Sequence, residues 1–199
     1  PTKNDNFFVC MRLCSIQDNR FAYRKNVLPT SMHPSQAALI VSLAKPYLKE
    51  TAQIMDPFCG VGTLLIERAH LVPAREIYAT DTYGDAITMG RENAAFAKTR
   101  INFIHRDFFD FRHDYKFDEL ITDMPVRNRQ TKAEMELFYE RFFDKAAEHL
   151  VSGGIIVMYS NEIGFVKKQI RLRVEYRLLQ ETCILDKKDF YLFVIRYED

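Results

Sequence analysis

The chain has 199 residues, 47% hydrophobic and 28% charged, with a formal net charge of +1. Such a chain fits one globular domain with a real core, and no apolar run nears the roughly 20 residues of a membrane span. The near-neutral balance argues neither for nor against a nucleic-acid partner.

The opening "PTKNDN" is polar and does not read as a secretory leader. Cys10, Cys14, Cys59 and Cys183 form no CxxC pair, so reduced thiols of a cytoplasmic protein, with no metal site and no membrane association, are expected. Residues 1–30 read as an N-terminal extension with a strand-like run, "FFVCMRLC" (7–14), and residues 31–199 as the main domain. A helix then starts within "SMHPSQAALIVSLAKPYL", with Ser31 expected as its cap and Pro34 in its first turn.

From about residue 52 to 160, strand and helix patterns alternate. "TAQIMD" (51–56) is a short apolar run suited to a buried strand, and "GTLLIERAHLV" continues as a helix stopped by Pro73. "EIYATD" (76–81) is a second strand, "DAITMGRENAAFAKT" (85–99) a helix, "INFIHRD" (101–107) a third strand and "FDELITD" (117–123) a fourth. In "KAEMELFYERFFDKAAEHL" (132–150), Met135, Phe138, Phe142, Ala146 and Leu150 recur at helical spacing. "SGG" (152–154) reads as a break before a fifth strand, "IIVMYS" (155–160). The runs 176–185 and 189–197, separated by "DKK", fit an antiparallel hairpin. Residues 167–177 carry five cations against Glu175, a face that either attracts phosphates or is simply solvated, the second reading being favoured.

Alternating strands and helices imply a parallel sheet with helices on both faces, and ligands of such sheets gather at the carboxyl ends of the strands. Asp56, Asp81, Asp107 and Asp123 end four of these strands and would line that rim. Gly60 and Gly62 follow Asp56, allowing a tight turn and close approach of a ligand to the backbone. The spacing is not the dinucleotide GxGxxG, because Leu65 stands at the third glycine. Asp56 suits a cationic group such as an ammonium. Asp81 suits the two hydroxyls of a ribose. Asp107, with Phe108 beside it, suits an adenine amino group. Each acid alone has an ordinary alternative as a cap or loop carboxylate.

With "DPFCGVGTLLIERA", "YATDTYGDAI", "RENA", "INFIHRDFFDF" and "TDMP" in place, the chain resembles the S-adenosylmethionine-dependent RNA methylases often fused to a THUMP domain. The resemblance runs from about Tyr23 to the end and includes "YRKNVLPTSMHPSQAA", which in this family covers the cofactor. It implies a Rossmann-like class I methyltransferase: a mostly parallel seven-stranded sheet, a C-terminal antiparallel hairpin and helices on both faces. It also implies that Asp56, Pro57, Phe58, Cys59, Gly60 and Gly62 hold the methionine part of S-adenosylmethionine, with Ser31 and His33 near its carboxylate. Asp81 and Thr82 would serve the ribose, and Asp107 with Phe108 the adenine.

In amino-methylating relatives the fourth strand ends in (Asp/Asn)-x-Pro-(Tyr/Phe). Asp123, Met124 and Pro125 are then the catalytic turn, two acceptors gripping the N–H groups of an exocyclic amine. The stacking aromatic is replaced by Val126, leaving Phe58, Tyr83 or Phe109 as a substitute platform and Arg127 and Arg129 as substrate contacts. The expected reaction is methylation of an RNA base amine, guanine N2 of tRNA or rRNA, with an N-terminal RNA-binding domain supplying affinity. The alternatives are a DNA adenine, a protein glutamine, or a scaffold that binds the cofactor without turnover.

Overall fold

Apolar residues alternate along the central strands, and each set faces a different layer of helices. In a computed structural model, which describes residues 19–185 and 189–199, Gln53–Asp56 (β1), Glu76–Asp81 (β2), Asn102–His105 (β3), Phe117–Asp123 (β4) and Leu150–Ser160 (β5) run parallel. Tyr176–Leu185 (β6) and Phe190–Tyr197 (β7) form the hairpin, with β7 antiparallel to both β5 and β6. The order is β3-β2-β1-β4-β5-β7-β6, which is the seven-stranded class I methyltransferase arrangement expected. The strand-like run at 7–14 and the first two cysteines lie outside the described residues.

Ile54, Ile121, Val157 and Val194 point to one face, where they pack with Pro34–Ala44 (α1), Thr63–Leu71 (α2) and Gly84–Phe96 (α3). Their neighbours Met55, Leu120, Ile156 and Phe193 point to the other, against Lys132–His149 (α4) and Ile163–Leu172 (α5). This is the period-two alternation of a strand buried on both faces.

Two local expectations are corrected. Helix α1 is capped by His33, whose ring accepts from Ser35 N at 3.3 Å, while the Ser31 hydroxyl instead accepts from Leu28 N at 2.9 Å. The "SGG" segment does not precede the fifth strand but lies inside it. Gly153 takes φ 78°, and the register against β4 shifts between Phe117 and Glu119. A glycine bulge absorbs what read as a break.

The basic run at 167–177 is tied down rather than open. Lys167 pairs with Glu181 at 2.8 Å, Lys168 with Glu136, and Arg173 with Asp144. These bonds tie the run to β6 and α4, leaving Arg171 and Arg177 as its cations without an ion-pair partner among the described residues.

The α2–β4 contact is held by charge. Arg68 and Glu119 are 0% and 1% exposed and meet through two bonds of 2.8 and 2.9 Å. The guanidinium also donates to the carbonyls of Val72 and Lys49.

Phe103 of β3 sets how closely the Gly loop and α3 approach. A Cβ on Gly90 would meet its ring at 2.5 Å, and one on Gly62 at 2.8 Å. Gly90→Ala is therefore expected to cost a net ~1–2 kcal/mol, overpacking outweighing the better helix propensity of alanine. A lower urea midpoint at unchanged slope would register it.

Candidate active site

The loop from β1 to α2 is pinned to β2 by its own backbone. Cys59 N donates to Thr80 O at 3.0 Å, Gly60 N to Asp81 Oδ2 at 2.8 Å, and Gly62 N to Cys59 O at 2.9 Å. Gly60 and Gly62 take φ of 51° and 78°, the left-handed region where glycine carries no Cβ penalty. At Gly60 a Cβ would meet nothing within 4 Å, so its outer side faces open space.

That space is a pocket of about 420 Å³ at the carboxyl rim of the sheet. It brings together Asp56, Phe58, Cys59 and Gly60 from the loop, Asp81 from β2, and Asp123, Met124, Pro125 and Val126 from the end of β4. Ser31 is also in its wall. Pro57 and Gly62 belong to the same loop without lining it.

Other expected residues sit away from the wall. His33 faces solvent as the α1 cap, and Thr82 is exposed, its carbonyl bonded to the His105 ring at 3.0 Å. Asp107 Oδ1 accepts from Phe109 N at 2.9 Å and caps the short turn Phe108–Asp110. That turn rotates the Phe108 ring inward, 1% exposed, against Phe58, Phe142 and His149. Phe108 is thus a core residue in this structure and offers no ring face to the pocket. Arg127 reaches Glu162 at 3.7 Å, and Arg129 is exposed.

Several pocket residues were not singled out individually in the sequence: Leu28, Thr30 and Met32 within the stretch expected to cover the cofactor, Thr63 and Leu64 within the Gly-loop motif, and Asn128. The first three belong to a strap laid across the pocket by long-range bonds. Asn93 of α3 accepts from Lys25 N and Asn26 N and donates to Asn26 O, all within 3.0 Å, while Arg24 donates to Met32 O at 2.9 Å. The "RENA" motif was the available signal, since Asn93 is its asparagine. The turn after β4 is fixed similarly: Met124 N donates to Tyr159 O at 2.9 Å, and the Tyr159 hydroxyl accepts from Gln36 Nε2 at 2.6 Å.

The electrostatics are those of acids crowded in a poorly solvated place. Burial pushes the Asp56 carboxyl up to about 8; the Phe58 N–H and Thr122 hydroxyl draw it back, and Asp123 and Asp81 add repulsion. Burial alone pushes Asp123 up to about 7. The Cys59 thiol is raised chiefly by burial, so it is no ready nucleophile.

These features fit S-adenosylmethionine. An acid whose ionisation is unfavourable alone awaits a cation, and the Thr63 hydroxyl, 4% exposed at the start of α2, has no hydrogen-bond partner among the described residues. Its amino-acid end carries an ammonium, which Asp56 would hold, and a carboxylate, which Thr63 and the helix N-terminus would meet. Among the described residues no group of three or more His, Cys, Asp or Glu side chains could hold a metal, and no helix is long and apolar enough to cross a membrane.

Known proteins place this geometry. The chain is 32% identical over 187 residues to "tRNA (guanine(10)-N2)-dimethyltransferase" of Methanothermobacter thermautotrophicus, covering 88% of this chain and 54% of that protein. It is 25% identical over 155 residues to "Release factor glutamine methyltransferase" of Lactococcus lactis, covering 68% and 56%. The crystal structure of TrmN from Thermus thermophilus superposes with a TM-score of 0.74 at 22% identity, covering 90% of this chain and 52% of that one. The chain thus spans about half the length of these relatives. The UPF0020 family, RMKL-like methyltransferase domain, matches residues 22–182. The chain belongs to this RMKL-like methyltransferase domain family, whose methyl donor is S-adenosylmethionine.

Proposed function

We propose that the chain is the methyl-transfer part of a cytoplasmic RNA methyltransferase acting on an exocyclic base amine, guanine N2 of tRNA or rRNA. One observation carries this reading: Asp123-Met124-Pro125 ends β4 in the same pocket wall as Asp56 and Gly60. The bound cofactor supplies an electrophilic methyl group on a sulfonium sulfur.

An aromatic amine is a poor nucleophile because its lone pair is delocalised into the ring. Asp123 Oδ and the Met124 carbonyl would accept its two N–H bonds and turn the lone pair toward the methyl. Pro125 restricts Met124 to extended backbone, and the bond from Met124 N to Tyr159 O holds that peptide against the sheet. Methylation leaves the nitrogen with a surplus proton, and a carboxylate with a pKa near 7 suits its capture at Asp123 Oδ. The remaining roles follow the resemblance: Asp81 for the ribose hydroxyls, through lone pairs left beside its bonds to Gly60 N and Tyr83 N, and Asp107 for the adenine amine. Phe58 and the exposed Tyr83, both in the pocket wall, are the stacking platforms proposed in place of Val126.

The Methanothermobacter relative supports guanine N2. The Lactococcus relative favours a second reading, a protein glutamine amide, which presents the same kind of amine. Radiolabelled methyl transfer to total RNA, DNA and protein in parallel separates them; label in RNA alone is expected. Substrate affinity is proposed to come mainly from an RNA-binding domain N-terminal to this part.

Asp56 gives a test independent of turnover. Its folded pKa is raised, so the stability linked to it is fully present below the unfolded value and is lost as pH rises through about 8. An ammonium docked on it would lower that pKa, so S-adenosylhomocysteine binding at pH 7 should release up to about one proton. Calorimetry in buffers of different ionisation enthalpy measures this. Equal apparent enthalpies for the native chain would contradict it, and Asp56→Asn should abolish the release.

A further inference from the structure

Beside the pocket lies a second cleft of about 280 Å³, and the two share Pro125 and Val126 as a common wall. Its far side is α4, which presents Leu137, Phe138 and Arg141. Val126 and Leu137 are 52% and 55% exposed, a pair of apolar side chains left in water at the edge of the catalytic turn. Behind them Phe138 packs against Phe58 at 5.4 Å between ring centroids, and Phe58 lines the main pocket. The Arg141 guanidinium lies 4.2 Å over the Phe109 ring, which meets Phe138 edge-on at 5.5 Å.

Apolar walls, an aromatic floor and a flat cation at the mouth form a slot for a flat, polarisable ring. The surrounding charge favours an occupant on a phosphate chain. Arg129 and Lys132 are exposed beside the cleft and have no bonding partner among the described residues, whereas Glu134, the acid in its wall, is engaged in the capping box with Thr131. The same capping box fixes where α4 begins and so holds the slot's far wall in place.

We propose that this cleft seats the nucleobase next to the methylated nucleotide in a single-stranded stretch of the substrate RNA. The proposal rests on the RNA reading above and deepens it: Val126, where an aromatic would stack on the target base, becomes the divider between two base sites. The target base enters the pocket, its neighbour lies over Val126 and Leu137, and Arg129 and Lys132 meet the backbone between them. Unpaired RNA is required, because neighbouring bases of a duplex stay stacked.

The test uses the full chain, a single-stranded RNA decamer carrying 4-thiouridine beside a central guanosine, and Leu137→Glu, which puts a charge in the slot without touching the catalytic turn. Photo-crosslinks are expected in the peptide spanning residues 126–141, and Leu137→Glu should cut their yield at least about fivefold. It should raise the KM for tRNA on the order of tenfold, leaving kcat and the S-adenosylhomocysteine Kd within about twofold. Undiminished crosslinking in Leu137→Glu overturns the proposal, as do crosslinks confined to other peptides. Capture there of a glutamine-containing peptide but not of RNA overturns it too. If neither the native chain nor the longer protein to which it belongs methylates RNA, the RNA reading fails while the crosslink map still decides the cleft.

Discussion

Replacing Asp123 by alanine is expected to lower methyl transfer by about 10²–10⁴-fold, the range lost with a positioned proton acceptor. S-adenosylhomocysteine should still bind within about threefold of the native Kd. Removing this carboxylate takes a repulsive charge from beside Asp56, which eases ionisation of Asp56 and leaves its pairing with an ammonium intact. Asp123→Asn separates the two proposed duties of the side chain, since its amide oxygen still accepts an N–H bond but cannot take up the proton. It should therefore fall between native and alanine forms. With S-adenosylmethionine saturating, so that Asp56 is already paired, the native kcat/KM for RNA should rise with pH and level off above about 7, where Asp123 is ionised, and the asparagine variant should lack that rise. Full activity in the alanine variant with normal cofactor binding would remove Asp123 from the mechanism.

The largest effect on stability is expected at Glu119. Its carboxylate answers a guanidinium with no solvent exposure, so Glu119→Ala leaves a buried charge uncompensated and should cost about 3–5 kcal/mol. At roughly 2–4 °C per kcal/mol in a domain of this size, the melting temperature should drop on the order of 10 °C. Burial itself raises the Glu119 pKa, with Arg68 pulling it back, so the pair spends part of its attraction on desolvation. The double change Arg68→Met/Glu119→Leu should accordingly recover much of the loss. It should stay short of native because the Val72 and Lys49 carbonyls lose their donor, each about 1–3 kcal/mol if left unmet. A cost below about 1 kcal/mol for Glu119→Ala would show that water reaches the site.

The sheet was legible because its strands are short apolar runs with polar ends. β2 and β4 begin and end where the residue pattern places them, at 76–81 and 117–123. The Gly loop was legible for a related reason: both glycines adopt the left-handed backbone that their residue type permits. β5 was read as starting late because glycines mark breaks and bulges alike, and only the register against β4 distinguishes them. The α1 cap was assigned to Ser31 because serine is the usual capping residue, while the His33 ring does the same work two residues later.

What the sequence hid is what depends on contacts distant along the chain. The strap that closes one side of the pocket is held by Asn93, more than 60 residues away. The direction of the Phe108 ring is set by a short turn capped by Asp107, a detail too local for periodicity to reveal. The buried pairing of Arg68 with Glu119 joins residues 51 positions apart, and no local pattern announces it. The second cleft was invisible because it forms only where Leu137, Phe138 and Arg141 of α4 meet Pro125 and Val126 after β4, segments separated along the chain.

The central claim is that Asp123 and the Met124 carbonyl grip an exocyclic amine. It is tested most directly by methylating tRNA with the native protein, or with the longer protein to which this part belongs, and identifying the product nucleoside by chromatography and mass spectrometry. N2-methylguanosine or N2,N2-dimethylguanosine, absent from the Asp123→Ala reaction, is the predicted result. A methyl group on a ring nitrogen, a ring carbon or a ribose hydroxyl would contradict the account.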